Sequence, residues 1–213
     1  LLAAEKAQCM WTDPPYGVSY EGKTKDQLKI QNDGIEDLDS LLQCAFAVAD
    51  RALADGAAIY IAHPAGRLSL KFGQEFCAIN WHLHETLIWV KDSMVLGHSD
   101  YHYKHEPILY GWKGSKRNWY GDRSQVSVFE VARPKRSTEH PTMKPVELIM
   151  AQLKNSTQAG DLIYDPFGGS GSTLVAGETL GRRCAAIEID PKYVAVILQR
   201  LTDLGALATL SKE

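Results

Sequence analysis

The stretch GDLIYDPFGGSGSTLVAGETLGRRCAAIEI, residues 160–189, limits the possible folds of this chain more than any other. A short apolar run ends at Asp165, and Gly168, Gly169 and Gly171 follow at once. TLVAGETLG (173–181) then reads as a short helix and RCAAIEI (183–189) as a second strand. Strand, glycine turn, helix and strand make one parallel crossover unit. Such units belong to α/β folds, whose ligands sit at the carboxyl ends of the strands.

The rest of the chain repeats this alternation. Gln8–Trp11, AAIYIAH (57–63), ETLIWVK (85–91) and EPILYGWK (106–113) read as strands. Apolar residues at helical spacing run from Glu36 to Ala54, ahead of Gly56; Leu68–Ala78 reads as another helix. Pro145 opens a helix reaching about Asn155, and Asp190-Pro191 caps a last one ending near Leu204. The expectation is a single α/β domain over residues 1–213 with a doubly wound, mostly parallel sheet. Residues 21–34 read as a long polar loop carrying Lys23, Lys25 and Lys29, suited equally to closing over a nucleic acid or to a plain surface loop.

The glycine turn points to a nucleoside-containing ligand. Glycines let it approach the backbone beside a helix N-terminus, and Glu188, at the end of the next strand, is placed to accept from a ribose diol. The dinucleotide pattern is broken, because Leu174 stands where a third glycine belongs, and no Gly-Lys-Ser/Thr follows. The Asp165 carboxylate would repel a pyrophosphate but receive an ammonium. S-adenosylmethionine, with an ammonium, a sulfonium and a ribose, fits that balance best.

CMWTDPPYGVSY (9–20) holds a second constellation. Methylating an exocyclic amine requires drawing its N–H hydrogens out of plane, so that the lone pair can attack in line. Asp13 can accept one N–H and the Pro14 carbonyl the other, with Pro14 and Pro15 stiffening the loop. Tyr16 offers an aromatic face to a flipped base.

Charge is uneven. The chain carries −3 overall, but Lys104–Lys144 holds nine basic and four acidic residues, +5 on a body of −8. A basic segment on an acidic body suits a phosphate-bearing partner such as a nucleic acid, and Trp119 and Tyr120 within it are candidate stacking residues. Cys9, Cys44, Cys77 and Cys184 form no C-x-x-C pair, which favours reduced thiols in the cytoplasm. His98, His102 and His105 lack a cysteine partner and read as strand-surface residues, so no metal site is expected. No apolar run is long enough for a membrane span.

At these residues the chain resembles the β-class amino-group DNA methyltransferases. Asp13-Pro14-Pro15-Tyr16 matches their catalytic motif, and Asp165-Pro166-Phe167-Gly168-Gly169-Ser170-Gly171-Ser172-Thr173 their cofactor motif. His140-Pro141-Thr142-Met143-Lys144-Pro145 looks like the segment supporting the methionine end of S-adenosylmethionine, which implies that role for Thr142 and Lys144. Catalytic motif first and cofactor motif last is the β order. The resemblance implies a permuted Rossmann-like methyltransferase fold and cofactor contacts through Phe167 and Ser170 beside the glycines. It further implies DNA methylation of the restriction–modification kind and a short basic target-recognition insert at about 114–139.

Asp at position 13 favours adenine N6 over cytosine N4, which stays the alternative beside a truncated, non-catalytic DNA-binding fragment. LGHSDYHYKHEPILYGWK (96–113) resembles phage and prophage enzymes often fused to a further N-terminal domain. Leu1 begins too late for the upstream Gly-Asp pair such enzymes carry, so a native N-terminal part is expected to be missing here. β-class relatives often form homodimers.

Overall fold

The computed structural model describes residues 2, 5–17, 36–95, 100–134 and 143–209. Its elements in chain order are β1 (Ala7–Thr12), α1 (Leu38–Ala52), β2 (Leu53–Ala62), α2 (Ser69–Ala78), β3 (His82–Val95) and β4 (Tyr103–Trp112). These are followed by β5 (Val128–Glu130), α3 (Val146–Ser156), β6 (Leu162–Asp165), α4 (Ser172–Thr179), β7 (Arg183–Ala186) and α5 (Pro191–Asp203). The strands form one sheet in the order β5-β3-β4-β2-β1-β6-β7.

Four of the six neighbouring pairs are parallel; β2–β4 and β3–β4 are antiparallel. The expected doubly wound α/β sheet is therefore present, with an antiparallel β3–β4 hairpin built into it. β3 and β4 are longer than their apolar runs suggest. Their distal halves are exposed, so backbone pairing rather than burial carries them outward.

Alternation along β1 divides the core in two. Met10 faces one cluster, with Leu38, Leu42, Phe46 and Ala49 of α1 and Phe72 and Phe76 of α2. Cys9 and Trp11 face the other, with Leu148, Ile149 and Leu153 of α3 and Ala176 of α4. The α1 stripe at positions 38, 42, 46 and 49 is the helical spacing read from the sequence, now on the buried side. Asp190 caps α5 by accepting from the Lys192 amide at 2.8 Å, with Pro191 in the first turn. Among the described residues, no helix is long and apolar enough to cross a membrane.

Candidate functional site

β1 and β6 lie side by side and parallel, Cys9 opposite Ile163 and Met10 opposite Tyr164. The loops that follow them, 153 residues apart in sequence, therefore leave the same sheet edge. From β1 the chain crosses by α1 to β2 on one side, and from β6 by α4 to β7 on the other. This is the switch point where open α/β sheets form ligand crevices. A hydrogen bond ties the two loops together: Thr12 Oγ1 donates to Asp165 Oδ1 at 2.7 Å.

Asp165 is 3% exposed, and the Phe167 amide also donates to its Oδ1, at 3.0 Å. Burial pushes its carboxyl up to about 6, against the pull of its hydroxyl and amide donors. Between pH 4 and 6 the folded chain thus holds a proton that the unfolded chain releases, so stability falls as pH rises through that window. Asp165→Asn cannot titrate. The wild-type-minus-variant difference in unfolding free energy, from urea melts, should drop by on the order of 2 to 3 kcal/mol between pH 4 and 7. A pH-independent difference would refute this assignment.

The glycine turn has two kinds of glycine. At Gly168 an added Cβ would lie 3.2 Å from the Ile187 carbonyl oxygen, with space only slightly tight. Gly171 has φ +81°, and its Cβ would lie 2.9 Å from Ile197 Cγ1 of α5, so this glycine admits a helix rather than a ligand. Gly169, at φ +51°, gives its amide to Glu188 Oε2 at 2.7 Å, while the Asp190 amide donates to Glu188 Oε1 at 2.8 Å. Glu188 lies two residues beyond the end of β7 and clips the turn to the α5 cap. The Ser170 carbonyl accepts from Arg200 at 2.6 Å. The first turn of α4 has no side-chain cap, and the buried Ser172 Oγ finds no hydrogen-bond partner among the described residues. Phe167 is half-buried.

The Asp13 loop meets a row of charges. Asp13 Oδ1 accepts from the Tyr16 hydroxyl at 2.8 Å, and Lys144 Nζ lies 2.5 Å from Oδ2. The same Nζ is 3.2 Å from Glu106 Oε2, and Lys91 bonds Glu106 Oε1. Lys144 and Lys91 are each only 7% exposed. Burial opposes the charge on Glu106, yet Lys144 and Lys91 bring it down to about 2. Burial likewise disfavours the Lys144 ammonium, but Asp13 and Glu106 hold it above the ordinary lysine value. At Asp13, burial and the Glu106 charge outweigh Lys144, and the carboxyl is raised. The Tyr16 phenol is pushed well above its usual range, first by burial, so it remains a donor. Its ring has the Lys144 ammonium 5.3 Å from its centroid and Phe72 edge-on at 6.2 Å.

The four residues of the Asp-Pro-Pro-Tyr loop and the glycine turn are thus gathered at one edge. Lys144 joins Asp13 rather than standing apart from it. Thr142, His98 and the 21–34 loop lie outside the described residues. The basic segment divides. Asn118 bonds the Gly56 carbonyl and Tyr120 the Asn155 carbonyl, at the opposite edge of the sheet, about 20 Å from Asp13 along β2. Trp119 and Tyr120 therefore do not face the Asp13 loop. There Arg117 lies 5.2 Å from the Trp112 ring centroid and 5.8 Å from that of Trp119. Residues 128–130 form β5 and return the chain toward Lys144.

Three residues that sequence reasoning passed over lie near Asp13: Lys91, Glu106 and His63. His63 is 3% exposed and stacks on Phe72 at 5.8 Å; its Nε2 has no partner among the described residues. The readable signal for Glu106 was a charge at the head of an apolar strand run. Among the described residues no cluster of His, Cys, Asp or Glu could hold a metal.

A family model described as DNA methylase matches residues 7–199. The Type II methyltransferase M2.MboI of Moraxella bovis is 27% identical over 220 residues, covering 92% of this chain and 80% of that protein. M2.DpnII of Streptococcus pneumoniae is 32% identical over 125 residues, 59% of this chain but only 44% of that protein. Among solved structures, the M1.HpyAVI–SAM complex superposes with a TM-score of 0.72 at 20% identity, covering 93% of this chain and 90% of the other. The PvuII cytosine-N4-specific DNA methyltransferase also gives 0.72, at 16% identity, covering 94% and 82%. At these identities the structural likeness concerns the fold.

Proposed function

Since this chain belongs to the N6/N4 family of DNA methylases, we propose that it methylates the N6 amine of adenine in DNA, on a base flipped out of the duplex. The observation that carries the reading is the junction of the two loops at one sheet edge, with Thr12 bonded to Asp165 beside Asp13.

The glycine turn fits S-adenosylmethionine. The uncapped start of α4, with Ser172 Oγ unpartnered among the described residues, suits a carboxylate. Glu188 suits the ribose hydroxyls, and Asp165 the ammonium. Phe167, Gly168, Gly169 and Ser170 line the approach; Thr142 and Lys144 complete the methionine end, Lys144 from its place on Asp13. When bound, S-adenosylmethionine supplies an electrophilic methyl group.

The chain's own work is to ready the amine. Asp13 accepts one amine hydrogen and the Pro14 carbonyl the other, which holds the amine pyramidal with its lone pair exposed. Pro14 and Pro15 remove backbone freedom from that carbonyl. Tyr16 stays protonated, orients Asp13 through Oδ1 and presents the ring face away from Lys144 to the base. The basic insert at about 114–139 contributes to DNA binding, chiefly where it returns past Arg133.

The test is to incubate the purified chain with unmethylated DNA and labelled S-adenosylmethionine, digest the DNA and separate its nucleosides. Label in N6-methyl-2′-deoxyadenosine supports the reading. Label in N4-methyl-2′-deoxycytidine would replace adenine by cytosine, and DNA binding without label would reduce the chain to a binding fragment.

A further inference from the structure

Resting on the methyl-transfer reading above, we propose that Glu106, braced by Lys91, is a positioning residue that gives Lys144 a second seat, so that Lys144 can release Asp13 to the incoming amine.

Four charged side chains from four parts of the fold stand in a row: Lys91 on β3, Glu106 on β4, Lys144 just ahead of α3 and Asp13 just after β1. Both Asp13 oxygens are engaged before any substrate arrives, Oδ1 by Tyr16 and Oδ2 by Lys144. An amine hydrogen approaching Oδ2 competes with a short, charge-assisted bond. Moving a 7%-exposed ammonium away from that bond with nothing to receive it is strongly unfavourable.

Glu106 Oε2 solves this. It already lies 3.2 Å from the same Nζ and, among the described residues, has no well-aligned hydrogen-bond donor. A small swing of Lys144 completes that bond and frees Oδ2. Lys91 holds Oε1 in both positions, so the carboxylate keeps its charge and its place. The row has no net charge in either arrangement, so no charge is created or left unpaired as the amine enters.

The same row sets how Asp13 responds to pH. Asp13 faces Lys144, Glu106, the Tyr16 hydroxyl and, across from β6, Asp165; Arg133 and Lys144 lie near Lys91. Asp13 accepts an amine hydrogen more strongly when ionised, so it governs the acid limb of kcat. Lys144→Met removes the cation that favours ionised Asp13, and the limb should move to higher pH by about one unit. Glu106→Gln removes a like charge and leaves Lys144 to Asp13 alone. Its limb should move to lower pH, while the plateau kcat falls about tenfold with little change in KM for DNA. Glu106→Asp should restore part of the plateau.

The decisive experiment measures kcat against pH for the wild-type chain and these three variants, together with a carbon-13 NMR titration of the Asp13 carboxyl without DNA. Opposite movements of limb and carboxyl titration in Lys144→Met and Glu106→Gln support the proposal. Lower plateaus with an unmoved limb, or movement in one direction for both, overturn it. If Lys144→Met does not fold, the Glu106 variants and the wild-type titration decide alone. A wild-type chain that methylates no DNA refutes the activity, while the NMR ordering still judges the charge row.

Discussion

Asp13→Ala should lower methyl transfer to DNA at least about 1000-fold while leaving S-adenosylmethionine affinity within about threefold. In the proposed mechanism the carboxylate is the acceptor that shapes the amine, and it makes no bond to the glycine turn. That turn is held by Thr12, Glu188 and Arg200 instead. Calorimetry for the cofactor and label incorporation for transfer separate the two effects. Lys144 keeps Glu106 as a partner in the variant, so the fold should survive, as a thermal melt would show. Asp13→Asn, which retains an acceptor oxygen but no charge, should fall between the two. Near-normal transfer by Asp13→Ala would remove Asp13 from the mechanism.

Gly171→Ala should cost about 2 to 4 kcal/mol of stability and weaken cofactor binding with it. Two independent causes add. At φ +81° any side chain is strained by about 1 to 2 kcal/mol, and the new Cβ would press within 2.9 Å of Ile197 Cγ1. Ile197 is buried on α5, so the neighbour can yield only by moving that helix. Replacing Ile197 by Ala relieves the crowding but not the strain. In a double-mutant cycle by urea unfolding, the pair should be about 1 to 2 kcal/mol more stable than additivity allows. Strict additivity would show that the backbone angle alone accounts for the loss. Gly168→Ala, with its nearest contact at 3.2 Å, should be the milder change.

The contrast between the two glycines shows where sequence reading stopped. The order of motifs, the helix stripe of α1, the Asp190-Pro191 cap and the β6–turn–α4 unit were legible because each depends on neighbours a few residues away. A Gly-rich turn is legible too, but how closely each glycine presses on Ile197 depends on α5, whose packing no local pattern encodes. Trp119 and Tyr120 make the same point. Basic and aromatic residues together suggested a base-stacking platform, yet bonds to Gly56 and Asn155 fasten that segment to the far edge of the sheet. Composition records what a segment carries, not where its ends are tied.

Glu106 and Lys91 were illegible for a stricter reason. Their pairing depends on antiparallel register, Trp89 opposite Glu106 and Val90 opposite His105, and a one-residue slip would turn either charge to the other face of the sheet. The motif around Lys144 points to the cofactor, and only the fold reveals the carboxylates on either side of it.

The sequence by itself determined the chemistry on offer: a stiff Asp-Pro-Pro-Tyr loop, a glycine turn with an acid on each side, and an α/β alternation able to present both at strand ends. Such features follow from φ restriction, side-chain chemistry and apolar spacing, all of them local. Only the tertiary structure decided that β1 and β6 pair directly, so that Thr12 reaches Asp165, and that Lys91, Glu106, Lys144 and Asp13 close into one row. Strand order and register set these contacts, and they are properties of the whole sheet's packing.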